Sequence, residues 1–172
     1  MKHKIMSSAL ALALTVAIAF PVLAADTANV VVDLKGQKVV KGADGKEKFE
    51  SASEAKPGEV IEYKAVYRNN GKRKVTDVLA VVPVPMGTEY ISGSAKPAQV
   101  TASLNGKEYA PVPLKRKVTL PSGKEELQAV PYEEYRFLRW DLKTLSPGQS
   151  VPVSIRVRIS TKPPQAAAPA KK

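Results

Sequence analysis

The chain has 172 residues, with 27 lysines and arginines against 16 aspartates and glutamates, for a formal net charge of +11. It has no cysteine and a single histidine, His3, which excludes a disulfide framework and leaves thiol catalysis, histidine triads and the usual zinc sites without residues to build on. A chain of this length builds one ordinary core, burying on the order of 70% of its extended surface, and its stability must come from packing.

Lys2, His3 and Lys4 form a basic head, Ala9 to Phe20 is apolar, and Val22 and Ala24 place small residues ahead of a cleavage point at Ala25. This pattern predicts a cleaved export signal helix over residues 1–24. The apolar run is short for a bilayer span, which needs about 20 residues, so no stable membrane span is expected once the signal is removed. Losing Lys2 and Lys4 takes the charge from +11 to +9. A basic exported protein suits an anionic envelope component or another envelope protein, and nucleic acid is not expected as a partner. The same charge also serves plain solubility.

Asn29 to Leu34 reads as a first strand and Gln37 to Lys41 as its continuation after Gly36, with Gly42 to Gly45 turning into Lys46 to Glu50. After the turn pair Pro57-Gly58 comes the clearest strand: Ile61, Tyr63, Ala65 and Tyr67 share one face, and Glu62, Lys64 and Arg68 the other. Asn69-Asn70-Gly71 turns the chain into Val75 to Val82, which is apolar on both faces, with Val78, Ala80 and Val82 on one and Leu79 and Val81 on the other. Pro83, Pro85 and Gly87 end that run, and Thr88 to Ser92 makes a short crossing strand.

Between Lys96 and Pro131 the signal weakens. Asn105-Gly106 predicts a type I′ hairpin between 99–104 and 107–110, and Pro111, Pro113 and Pro121-Ser122-Gly123 break the next stretch into an elaborated edge. Alternation returns at Glu134 to Leu142, placing Leu138, Trp140 and Leu142 inward and Tyr135, Phe137 and Arg139 outward. In the last strand Val151, Val153, Ile155, Val157 and Ile159 alternate with Pro152, Ser154, Arg156, Arg158 and Ser160, and Pro152 marks an edge. Residues 161–172 have nothing to bury and read as a disordered tail. The expected organisation is a signal (1–24), one all-β domain (25–160) and this tail. That domain is an antiparallel β-sandwich of immunoglobulin type, of about seven to nine strands.

Pro57-Gly58-Glu59 with the strand and Asn69 and Gly71 after it, Val75-Thr76-Asp77-Val78, Pro85 to Ser94, and Trp140 to Ser150 occur in the order of three blocks. Together they resemble the conserved repeat domain of bacterial and archaeal surface proteins, a family of unknown function. The resemblance covers residues 57–94 and 140–160. It implies an immunoglobulin-like module outside the cytoplasm, in the periplasm or at the cell surface, with a structural or interaction role and no catalytic residues.

The residues agree with that implication. Ser53-Glu54-Ala55-Lys56 has the Ser-x-x-Lys spacing of penicillin-binding enzymes, but Pro57-Gly58 follows at once and the companion motifs are missing. Glu125-Glu126 and Glu133-Glu134 are sequence neighbours, which point to opposite faces of a strand and cannot share a proton. Asp44 to Glu47 lacks calcium-loop spacing. No catalytic residue, metal ligand or cofactor is therefore assigned. If the last two strands pair, Tyr135, Phe137 and Arg139 stand beside Arg156 and Arg158, with Leu79 and Val81 near them, as an aromatic-basic interaction face. The alternatives are an ordinary solvated sheet face, or a small-ligand, carbohydrate or anionic-polymer module with Trp140 or tyrosines exposed.

Overall fold

A computed structural model describes residues 29–161, so the expected signal segment and the tail from residue 162 onward lie outside the described residues. The strands are β1 (Val30–Lys41), β2 (Glu47–Ser51), β3 (Val60–Asn69), β4 (Val75–Pro83), β5 (Thr88–Tyr90), β6 (Thr101–Ser103), β7 (Ala110–Pro111), β8 (Lys115–Thr119), β9 (Glu125–Ala129), β10 (Phe137–Leu145) and β11 (Ser150–Ile159). All pairings among them are antiparallel. One sheet has the order β2-β1-β3-β11-β5, a second β4-β10-β6-β7, and β8 and β9 form a separate pair. These eleven strands exceed the expected seven to nine, with the β8–β9 arm standing apart in the 96–134 region.

The alternation of β3 is realised. Ile61, Ala65 and Tyr67 are buried, Lys64 and Arg68 are exposed, and Tyr63 leans over β1. A Cβ on Gly36 would sit 2.9 Å from Tyr63 Cε1, so β1 runs unbroken through Gly36 because glycine makes room for that ring. Opposite, β4 contributes Val78, Ala80 and Val82 and β10 contributes Leu138, Trp140 and Leu145 to the same core cluster. Strict alternation from Trp140 would turn Leu145 outward. The β4–β10 ladder slips between Asp141 and Thr144, with Asp77 at φ 57° and Lys143 at φ 60°, and this bulge returns Leu145 to the core face.

Two polar side chains join the layers. The Tyr67 hydroxyl donates to Val81 O at 2.9 Å and accepts from Val81 N at 2.8 Å, so a side chain of one sheet satisfies both backbone groups of Val81 on β4, the edge strand of the other. Asn69, fully buried at the end of β3, donates Nδ2 to Arg73 O at 2.7 Å and Leu145 O at 2.9 Å, and its Oδ1 accepts from Gly71 N at 2.9 Å. The 70–74 turn and the end of β10 are thus tied to β3 by one amide.

Two local expectations change. Asn105-Gly106 is not a two-residue hairpin turn: β6 meets β7 as Thr101↔Pro111 and Ala102↔Ala110, leaving 104–109 as a loop. A type I′ turn needs positive φ at both residues, and only Gly106 has it, at 77°. Asn105 Oδ1 instead accepts from Lys107 N and Glu108 N, and Ser103 Oγ from Asn105 N and Gly106 N. Pro152, expected at an edge, lies on a strand flanked by β3 and β5. Its missing N–H falls in the 150–153 stretch, however, where β11 pairs with β3 alone among the described strands.

Candidate functional site

The structure divides the five residues of the expected interaction face. The last two strands do not pair: β10 lies between β4 and β6, β11 between β3 and β5, in different sheets. The short 146–149 connection arches from one sheet to the other, a choice that alternation within each strand does not encode. Phe137 and Arg139 therefore stand on the outer face of the four-stranded sheet, and Arg156 and Arg158 on that of the five-stranded sheet.

Tyr135 is not outward at all. It follows a 3₁₀ turn at Tyr132–Glu134, ahead of β10, and this extra turn breaks the phase that alternation from Leu138 would extend backwards. Its ring is fully buried, stacked 5.9 Å from Tyr90 and edge-on 5.2 Å from Tyr132, and its hydroxyl accepts from Leu114 N at 2.7 Å. Tyr135 thus anchors the base of the β8–β9 arm, together with the Val130 N to Leu114 O bond of 2.9 Å and the forked Arg116–Glu134 pair.

On the outer face of the four-stranded sheet, Arg139 lies opposite Val81 and Phe137 opposite Pro83, so the expected neighbourhood of Arg139 with Val81 exists. The 104–109 loop covers part of it. Tyr109 carries the Arg139 guanidinium 3.8 Å above its ring centroid, and a Cβ on Gly106 would come within 3.0 Å of Phe137 Cε2. Leu79 stays half-exposed there, at 50%, and Pro83 is exposed as well.

Arg156 is tied into the fold. Its guanidinium grips Glu47 at 2.8 and 2.7 Å and Glu62 at 3.0 Å. These bonds, Glu47 first, push the arginine further above its ordinary pKa and hold the Glu47 carboxyl below the usual carboxylate range. Glu47 belongs to β2, which β1 and β3 separate from β11, a distance of about 14 Å in a flat sheet. The β1–β2 hairpin must therefore curl over the outer face to bring Glu47 to Arg156. Arg158 is exposed, opposite Val60 on one side and Glu89 on the other.

Three of the exposed large apolar side chains, Val31, Val32 and Leu34, lie together on β1. Strand β2 pairs only with Gln37 to Lys41, so the 30–36 stretch has a neighbour on one side, β3, among the described strands. Val32 and Leu34 are opposite Tyr67 and Ala65 and so continue the core face, yet they remain 47% and 45% exposed; Val31, on the other face, is 44% exposed. β1 lies beyond β3 in the five-stranded sheet, and the half-exposure of Val32 and Leu34 means that the opposite sheet leaves this strand partly uncovered. The sequence does hold a signal for this, since Val30-Val31-Val32 is apolar on consecutive positions and a strand apolar on both faces is either buried twice or exposed.

Ser53 lies on the exposed 3₁₀ turn Ala52–Glu54, bonded to Ser51. Among the described residues no group of three or more His, Cys, Asp or Glu side chains could hold a metal ion, and no helix is long and apolar enough to cross a membrane. No protein-family model, curated protein or solved structure matches this chain.

Proposed function

We propose that this chain is an exported, non-enzymatic cell-envelope protein, an immunoglobulin-like sandwich of the conserved-repeat-domain kind, that joins another envelope protein through the open edge of β1. The observation that carries this reading is the exposure of Val32 and Leu34 on the core-facing side of a strand whose 30–36 stretch pairs on one side only among the described strands. A strand edge offers unpaired N–H and C=O groups, and an extended segment of a partner satisfies them while covering the side chains beside them. Completing the burial of two half-exposed aliphatic side chains adds about 2 kcal/mol to the main-chain bonds. The other reading, a carbohydrate platform built on Trp140, is disfavoured: that ring is 2% exposed and its Nε1 donates to Pro97 O at 2.7 Å.

A photo-crosslinking residue placed at Val32 or Leu34 in cells, with Lys107 on the 104–109 loop as control, tests the proposal. Positions 32 and 34 should each yield one discrete adduct with a second polypeptide. Val32→Glu with Leu34→Lys should abolish it; because both side chains are about half-buried the double variant also loses about 2 kcal/mol of stability, so circular dichroism must show it folded at the assay temperature. Absence of an adduct at both positions, or adducts that persist in the charged double variant, would refute the edge; a full-length protein in the cytoplasm would refute export.

A further inference from the structure

The outer face of the five-stranded sheet carries a transverse row of cations. Lys35 on β1 is directly opposite Lys64 on β3, Lys64 is opposite Ser154 on β11, and Ser154 forms an antiparallel bridge with Lys96. Like charges directly opposite one another destabilise a sheet, so such a row is a cost that an anion would relieve. Lys35 relieves its own share through Asp33 at 3.2 Å. Lys64 makes no ion pair with any described residue, and Lys96 feels Glu47 only at a distance.

Between these two lysines the surface dips into a pocket of about 230 Å³ lined by Glu62, Lys64, Lys96, Pro152, Val153 and Ser154. Its floor is stiff, because Lys96 N donates to Ser154 O and Ser154 N to Lys96 O, both at 2.8 Å. Ser154 is only 7% exposed, yet its hydroxyl makes no hydrogen bond to any described residue. No buried side-chain nitrogen or oxygen among the described residues lacks a partner, so this hydroxyl is open to the pocket it lines, with its donor free for a ligand. The acidic wall is accounted for: Glu62 is held by Arg156, which also holds Glu47. Those three groups sum to one negative charge, and Lys64 with Lys96 bring the site to one net positive charge.

We infer that Lys64, Lys96 and Ser154 form a binding subsite for a singly charged oxyanion. The two ammonium groups supply the charge, the Ser154 hydroxyl donates a hydrogen bond, and Pro152 forms an apolar wall. Two sources carry that chemistry, the carboxylate of an acidic sugar and the phosphodiester of a glycerophosphate unit. The subsite stands independently of the β1 edge, since neither Val32 nor Leu34 lines it.

Titration of the isotope-labelled protein, from residue 25 onward, followed by amide NMR at low ionic strength tests the subsite. The probes are methyl glucuronide, glycerophosphoglycerol and, as the neutral control, methyl glucoside. At least one of the two anions should shift the Lys64, Lys96 and Ser154 amides saturably while the glucoside does not, and which anion does so identifies the source. Lys64→Gln and Lys96→Gln should each weaken binding on the order of tenfold, the scale of a lost hydrogen bond to a charged group. Ser154→Ala should weaken it about fivefold with an unchanged melting temperature, because the hydroxyl holds nothing in the fold. Three results would overturn the inference: no saturable shift with either anion, equal shifts with the glucoside, or full affinity retained in Lys64→Gln and Ser154→Ala.

Discussion

Replacing Asn69 by alanine removes the one side chain that closes three backbone groups in two segments: Gly71 N and Arg73 O in the 70–74 turn, and Leu145 O at the end of β10. Leu145 is fully buried, so its carbonyl gains no water when the amide is gone, and an unsatisfied buried acceptor costs about 2 kcal/mol. Arg73 is exposed and Gly71 half-buried, so water replaces those two bonds at about 0.5 to 1 kcal/mol each. The expected loss is about 3 to 4 kcal/mol, a large share of a typical domain stability of about 5 to 15 kcal/mol. For a domain of this size that corresponds to roughly 10 °C in melting temperature. Thermal and urea unfolding followed by far-UV circular dichroism and Trp140 fluorescence measure it, with an unchanged urea m-value showing that the denatured state is not responsible. Asn70→Ala is the matched control, since that neighbour is exposed and only its backbone N–H is bonded, to Asn29 O at 2.9 Å; it should stay within about 0.5 kcal/mol of wild type. A drop of less than about 2 °C in Asn69→Ala would refute the reasoning.

The tyrosines lead to two further outcomes. Tyr67→Phe deletes the hydroxyl that both donates to and accepts from Val81, and should cost about 1 to 2 kcal/mol while speeding hydrogen exchange at the Val81 amide. Unchanged protection at Val81 would show that the clamp is not formed in solution. Burial raises Tyr63, Tyr67, Tyr90 and Tyr135 above the ordinary phenol value of 10.0. The unfolded chain then ionises first, so their contribution is complete below about pH 10 and is lost as the pH rises through the folded-state values. Urea midpoints measured from about pH 9 to about pH 11 should fall along that interval, and a flat profile would contradict it.

Alternation along the chain, read alone, identifies β3, β4, β10 and β11 and the inward placement of Ile61, Ala65, Tyr67, Leu138 and Trp140, while leaving β4 apolar on both faces. Side-chain direction in a strand is a local property with period two, so it needs no knowledge of the partner strand. The turn residues Gly58, Gly87, Gly123 and Gly148 likewise mark real turns, each with φ between 75° and 88°. An all-β antiparallel chain is therefore legible in the sequence, as is the doubly apolar run at Val75 to Val82.

Which strands meet is a different kind of fact. Whether the 146–149 connection returns β11 beside β10 or carries it across to the other sheet depends on β3, more than eighty residues upstream, and no pattern within Leu138 to Ile159 records it. That crossing parts Arg139 from Arg156. The 3₁₀ turn at Tyr132–Glu134 shifts the phase before β10 and puts Tyr135 inside, while the bulge at Asp141 to Thr144 shifts it again and brings Leu145 in. Pairing also creates what sequence order cannot: Lys64, Lys96 and Ser154 are far apart along the chain and become one pocket because strand neighbours lie only about 4.8 Å apart. The overhang of β1 has the same origin, for Val32 and Leu34 are core-type residues left uncovered because the sheet opposite them ends at β4.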